Sequence, residues 1–313
     1  MQFSYAMIPP PAHWADWFHT FYTLEIAVGR AEEFMPAYSA QIMIFLEGGV
    51  TIDFPGGRND PAESLLVNAP QLAFAPCTIH GPVRLVGVSL TPAGWQRLAA
   101  RPVDAVHDQV LAPDTVFAPE ALAELRAHIA AAQAGEITPE TLATALGTAI
   151  TAQPFPLPAG HGATLAAMTA WLASSLDPPL AALHAAVDLS PRQLQRFSRR
   201  YFGVAPWQVA KRFRAIRAAM LLANPLLPHA LRDAALESYF DQAHLIRNIR
   251  RYTGRTPRQL RDHTIFRETL VPHAHGPAAR LLDARPDAAG GDDSPLKSER
   301  IAPISNSERI RPN

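Results

Sequence analysis

The chain has 313 residues, 48% of them hydrophobic, with 28 Lys and Arg against 28 Asp and Glu. That length leaves room for two domains plus extensions, and no run of about eighteen apolar residues offers a membrane span. Cys77 is the only cysteine, which excludes an intrachain disulfide and points to a reducing compartment. With no basic-then-apolar leader at residues 1–5, the expectation is a soluble cytoplasmic protein without membrane contact.

The zero net charge hides a segregation. Residues 1–189 hold six basic and seventeen acidic residues, a net −11, and residues 190–262 hold fifteen and four, a net +11. The remainder balances at seven each. A basic block beside an acidic one is the electrostatic footprint of a nucleic-acid binder confined to one domain. All of that block but Lys211 is Arg, which suits forked contacts to bases and phosphates.

In chain order, Pro9-Pro10-Pro11 is a rigid leader. Trp14, Trp17, Phe18, Phe21 and Tyr22 follow at near-helical spacing and read as a core or interface stripe. Residues 38–90 turn strand-like. Residues 42–46 and 50–54 flank Glu47-Gly48-Gly49, a hairpin signal, and Leu65–Val67, Leu72–Phe74 and Val83–Leu90 add further short strands. Short strands at this spacing predict a small antiparallel β-barrel or sandwich. His80 stands alone among these strands and His13, His19 and His107 are distant, so no metal site is expected. Cys77-Thr78-Ile79-His80 lacks an orienting group, and Cys77 reads as a small buried residue rather than a nucleophile. No catalytic residue and no cofactor site is expected.

From Thr91 the chain turns helical and Ala-rich. A short helix is expected over 92–100, and longer ones over 119–134 and 139–153, each opened by Pro. Leu122, Leu125, Ile129 and Leu142, Leu146, Ile150 mark apolar faces, suited equally to a dimer interface or to packing on the strands. Residues 154–160 are a proline-stiffened linker. The expected division is a β-rich sensor or dimerisation domain over 1–115, a helical connector over 116–160, a DNA-binding domain over 161–268 and a disordered tail over 269–313.

The C-terminal half repeats itself. Residues 179–187 read as a short helix and Asp188-Leu189 as a tight turn. Ser190 caps a second helix with Pro191 at its first position and Gly203 at its end. Leu194, Phe197 and Tyr201 share one face; Arg192, Gln193, Gln195, Arg196 and Arg199 take the others. The pattern returns with a short helix over 230–238, a turn at Tyr239-Phe240, and a helix over 242–252 capped by Asp241. There Leu245, Ile249 and Tyr252 face inward and Arg247, Asn248, Arg250 and Arg251 outward. Gly254-Arg255-Thr256-Pro257 repeats the punctuation of Gly203-Val204-Ala205-Pro206. One long helix over 206–223 joins the units, with Val209, Phe213, Ile216 and Met220 on one side. Each unit is helix, turn, helix, with a basic second helix.

At this point the sequence resembles the DNA-binding domain of the AraC/XylS family of bacterial transcription regulators. The resemblance spans about residues 161–266 and rests on Leu-Ser-Pro-Arg-Gln-Leu-Gln-Arg-Phe (189–197), Gly-Val-Ala-Pro (203–206), Phe-Asp-Gln-Ala-His-Leu-Ile-Arg (240–247) and Gly-Arg-Thr-Pro-Arg-Gln-Leu-Arg (254–261). The chain departs from the family pattern at His184, at Asp188 in the first turn, and at Ser238-Tyr239, where the usual Gly before the aromatic is missing. The resemblance implies an α+β multidomain protein: an N-terminal cupin-like antiparallel barrel with helices, and a C-terminal all-α domain whose two helix-turn-helix units enter successive major grooves. It places base contacts at Arg192, Gln195 and Arg196 and at Gln242, Ala243 and Arg247. Gln193, Arg199, His244, Asn248 and Arg251 complete the expected DNA-binding set. Double-stranded DNA is the implied partner, with a small-molecule effector, a second copy of the chain and RNA polymerase as further candidates. The rival reading is a small-molecule carrier or enzyme built on the barrel, with a vestigial helical half.

Overall fold

The computed structural model describes residues 3–27, 29–37, 39–60, 62–152, 154–223 and 242–261. The strands are β1 (Phe3–Ile8), β2 (Phe18–Ile26), β3 (Arg30–Met35), β4 (Gln41–Phe54), β5 (Gly57–Arg58), β6 (Leu65–Asn68), β7 (Ala75–Leu90) and β8 (Val110–Leu111). They pair antiparallel in the order β1-β2-β7-β4-β6-β8, with β3 beside β7 and β5 beside β4. No pairing among these strands joins β1 to β8, so the expected barrel is present here as an antiparallel sheet whose ends are not hydrogen-bonded to each other.

Several expectations within this region are corrected. Residues 41–54 form one strand, not a hairpin. The pairing of β4 with β7 shifts register between Phe45 and Gly49, so Glu47-Gly48-Gly49 is a bulged bend. Gly48 has φ +66°, and a Cβ there would run into the carbonyls of His80 and Pro82 on the facing strand. Gly81-Pro82 sits at the same level of β7, so the hairpin signal at Glu47-Gly48-Gly49 marks a bend shared by the two strands. Leu72–Phe74 is a loop, not a strand, for a reason that appears below. The aromatic stretch near the start is not helical beyond a single short turn at Ala12–Trp14; Phe18, Phe21 and Tyr22 belong to β2. Its core role holds. Phe18 and Phe21 are buried, their ring centroids 4.9 Å apart, with Trp14 5.5 Å from Phe18.

The helices are α1 (Pro92–Ala99), α2 (Val103–Val106), α3 (Pro119–Gln133), α4 (Pro139–Thr151), α5 (His161–Ala173), α6 (Leu180–Ala186), α7 (Pro191–Phe202), α8 (Pro206–Ala223), α9 (Gln242–Thr253) and α10 (Pro257–Arg261). Side chains alternate across the sheet. Ile42, Ile44, Val86 and Val88 join one core with Leu122, Leu125 and Ile129 of α3 and Leu142, Leu146 and Ile150 of α4. The apolar faces of α3 and α4 therefore pack on the sheet. Met43, Phe45, Val83 and Leu85, one residue out of phase, form a second core with Val50, Ile52, Cys77 and Ile79 on the opposite face. Both faces of the sheet are thus buried. Cys77 lies in this second core, where burial, with Glu32 and Asp53 adding to it, pushes its thiol up to about 12.

Candidate nucleic-acid interface

α7 forms where its sequence signals put it. Ser190 caps it: its Oγ accepts from the Gln193 amide at 3.4 Å, and the Gln193 side chain accepts from the Ser190 amide at 2.9 Å. Leu194, Phe197, Tyr201 and Phe202 bury its back. Arg192, Gln193, Gln195, Arg196 and Arg199 are all exposed on its front. Gln193 is placed as a cap partner, which ties its amide oxygen to the helix start. Gly203 ends the helix at φ +78°.

α9 repeats this arrangement with differences. Leu245, Ile249 and Tyr252 are buried; Ala243, Arg247, Arg250 and Arg251 are exposed, and Gln242 opens the helix. Asn248 is corrected from the expected outer face. It is 4% exposed, and its amide lies 3.1 Å from Nε2 of the half-buried His244. Its position, three residues after Leu245 and one before Ile249, falls on the buried stripe of the helix. Gly254 ends α9 at φ +76°. The first helix and turn expected for the second unit, including Ser238-Tyr239, lie outside the described residues, as does the stretch expected to be a tail.

Charge alone misled in one respect. Not every Arg of the basic block faces outward. Arg217 is 1% exposed and donates to the carbonyls of Leu172 and Ser175. Burial pulls its guanidinium down to about 10. Arg214 pairs with Asp177, Arg255 pairs with the buried Glu33, and Arg212 donates to the Gln71 carbonyl at 2.9 Å. Spacing gives a sign for this: Arg217 follows Phe213 by four and precedes Met220 by three, on the apolar stripe of α8.

These inner arginines lie at a joint with the sheet. The loop 70–74, expected as a strand, runs against the C-terminal helices. Gln71 accepts from Arg212 of α8, Leu72 touches the turn at Gly203, and the Phe74 amide donates to the Arg251 carbonyl at 3.2 Å. β3 supplies a second line of contact. The Ala37 amide donates to the Tyr252 carbonyl at 2.8 Å, and Phe34 packs on Gly254. Arg200 of α7 reaches Gln96 of α1 at 3.1 Å. The two helix-capping glycines thus occupy equivalent places, each pressed against the sheet region where a Cβ would collide. The exposed fronts of α7 and α9 stay outside this joint.

Residues 183–263 match a family model described as a helix-turn-helix domain. These residues form a helix-turn-helix domain. The matched span holds α7, α8 and α9, hence every residue expected at the DNA. Among solved structures, the chain has a match to the AraC-like transcriptional activator CuxR, at 12% identity over 69% of this chain and 86% of that one, with a TM-score of 0.27. No curated protein matches the chain. Among the described residues, no helix is long and apolar enough to cross a membrane, and no group of three or more His, Cys, Asp or Glu could hold a metal ion.

Proposed function

We propose that this protein is a transcription regulator that binds specific double-stranded DNA through the fronts of α7 and α9. The observation that carries the reading is the pairing of exposed fronts, Arg and Gln on α7 and Arg on α9, with buried apolar backs on both helices. Arg192, Gln195 and Arg196 are the proposed base readers, since Arg pairs bidentately with guanine and Gln with adenine in the major groove. Arg199, Arg250 and Arg251 are proposed to hold phosphates, with Ala243, His244 and Arg247 against the bases of the second site. Gln193 is assigned to the helix cap and Asn248 to the packing of α9.

Control by a small-molecule effector is favoured by a cavity of about 330 Å³ beside the second face of the sheet, within the range of pockets for small organic molecules. A cupin-like enclosure of this space is part of the reading. So are a second copy of the chain and RNA polymerase at the promoter; sedimentation of the full chain with duplex DNA reads the first. A cytoplasmic, non-enzymatic role completes it.

The test is salt dependence. About six phosphate contacts give a log–log slope of binding against salt of about −5. The buried or paired Arg212, Arg214, Arg217 and Arg255 are not counted. A slope near zero for the full chain refutes DNA binding.

A further inference from the structure

The cavity is not confined to the sheet. Its wall includes Met43, Phe45 and Ile79 from the sheet, and Leu172, Phe202 and Ile216 from the C-terminal helices. Among the described lining residues Arg212 of α8 is the one Lys or Arg, His19 is the one histidine, and no Asp or Glu lines the space. Arg212 is 8% exposed. Its Nη1 donates to the Gln71 carbonyl at 2.9 Å, while its Nε has no hydrogen-bond partner. No ion pair among the described residues includes it. Asp108 acts on it electrostatically, but that carboxylate already accepts from the Leu72 amide and pairs with His107. Gln71, whose carbonyl Arg212 holds, also has a buried side-chain nitrogen without an acceptor.

A buried guanidinium with an idle N–H is a costly thing to leave in an apolar wall. An anion seated there recovers that cost. The rest of the wall fixes the kind of anion. A single cation in otherwise uncharged surroundings matches one negative charge, and a planar carboxylate fits the guanidinium fork. A phosphate would bring more charge than one Arg offsets. We propose that the cavity binds an apolar carboxylate, its head on Arg212 and its body between the sheet and the C-terminal helices. This deepens the effector reading and rests on it. Because Arg212 stands on α8, the helix joining α7 to α9, such a ligand ties the sheet to the DNA-binding unit and makes its occupancy felt there. Burial also lowers the affinity of Arg212 for its proton, and a bound anion reverses that tendency.

The test uses the full chain and two probes sharing one body, 6-phenylhexanoate and 6-phenylhexan-1-ol. Isothermal titration calorimetry of each probe reports binding. The expected result is that the acid binds about tenfold tighter than the alcohol or better. Arg212→Gln should erase that preference while alcohol binding persists. Thr169→Trp, an exposed position at the cavity wall, should weaken both probes and keeps the test open if Arg212→Gln does not fold. Equal binding of acid and alcohol, no binding of either, or unchanged binding in Thr169→Trp overturns the proposal. DNA binding without probe is measured in parallel. Its loss refutes the regulator reading, whereas intact DNA binding with no acid preference refutes only the carboxylate site.

Discussion

The joint between the sheet and the helix-turn-helix unit is held by one ion pair whose removal can be worked through. Glu33 on β3 and Arg255 just past α9 are 8% and 7% exposed, and their side chains pair directly across the joint. Glu33→Gln preserves volume but leaves the Arg255 charge facing a neutral amide. The Phe34 carbonyl at 3.5 Å and the Phe34 ring, 5.1 Å from the guanidinium carbon, also lie beside that charge. Removing one partner of a buried pair costs about 3–5 kcal/mol when the other stays buried. Here the helices can undock and return Arg255 to water, so the free energy of docking caps the loss, and about 2–4 kcal/mol is expected. A double-mutant cycle of Glu33→Gln, Arg255→Met and the pair, followed by urea unfolding of the full chain, isolates the coupling. The expected coupling is about 2 kcal/mol or more. A value under about 0.5 kcal/mol, within ordinary additivity, would show that the backbone bonds at Ala37 and Phe74 hold the joint without the ion pair.

Three further outcomes are expected. Arg196→Ala should cost about 1–3 kcal/mol of DNA affinity and relax preference at particular base pairs, whereas Arg251→Ala should weaken all sequences alike. Binding-site selection on both variants decides this, and an unchanged motif in Arg196→Ala moves the reading role elsewhere. Ser190→Ala removes the cap and its reciprocal Gln193 bond, and should destabilise the chain by about 1 kcal/mol in urea unfolding; no change would mean that α7 starts without it. Cys77 adds a pH dependence. Its folded-state value is raised from 9.0 to about 12, so the unfolded chain ionises first as pH rises. Stability is full below about pH 9 and falls toward pH 12, by at most about 4 kcal/mol. Cys77→Ala should flatten that slope, and an equal slope in the variant would assign it to other groups.

The helix-turn-helix reading was local and therefore legible. A Ser cap, a Pro at the first turn, a four-residue apolar stripe and a terminal Gly lie within fifteen residues of one another in α7, and an apolar stripe and a terminal Gly recur in α9. Caps and helical faces depend on neighbours three or four positions away, which the sequence shows directly. The apolar residues of β4 and of the second half of β7 likewise announced strands. What neighbours could not announce was which strand faces which. Gly48 and Gly81-Pro82 each carry the signature of a turn; only their juxtaposition across the β4–β7 pair makes them one bend in continuous strands. The same holds for the arginines. Charge counting placed fourteen arginines in one basic block, yet Arg217, Arg212 and Arg255 point into the protein, because their acceptors are the carbonyls of residues 172, 175 and 71 and the carboxylate of Glu33, up to 222 positions away. Local sequence determined where helices begin and which stripe is apolar. The partner of each buried charge, the docking of loop 70–74 and the cavity at the joint were decided only when distant segments met, since a charge enters the interior only where another group receives it.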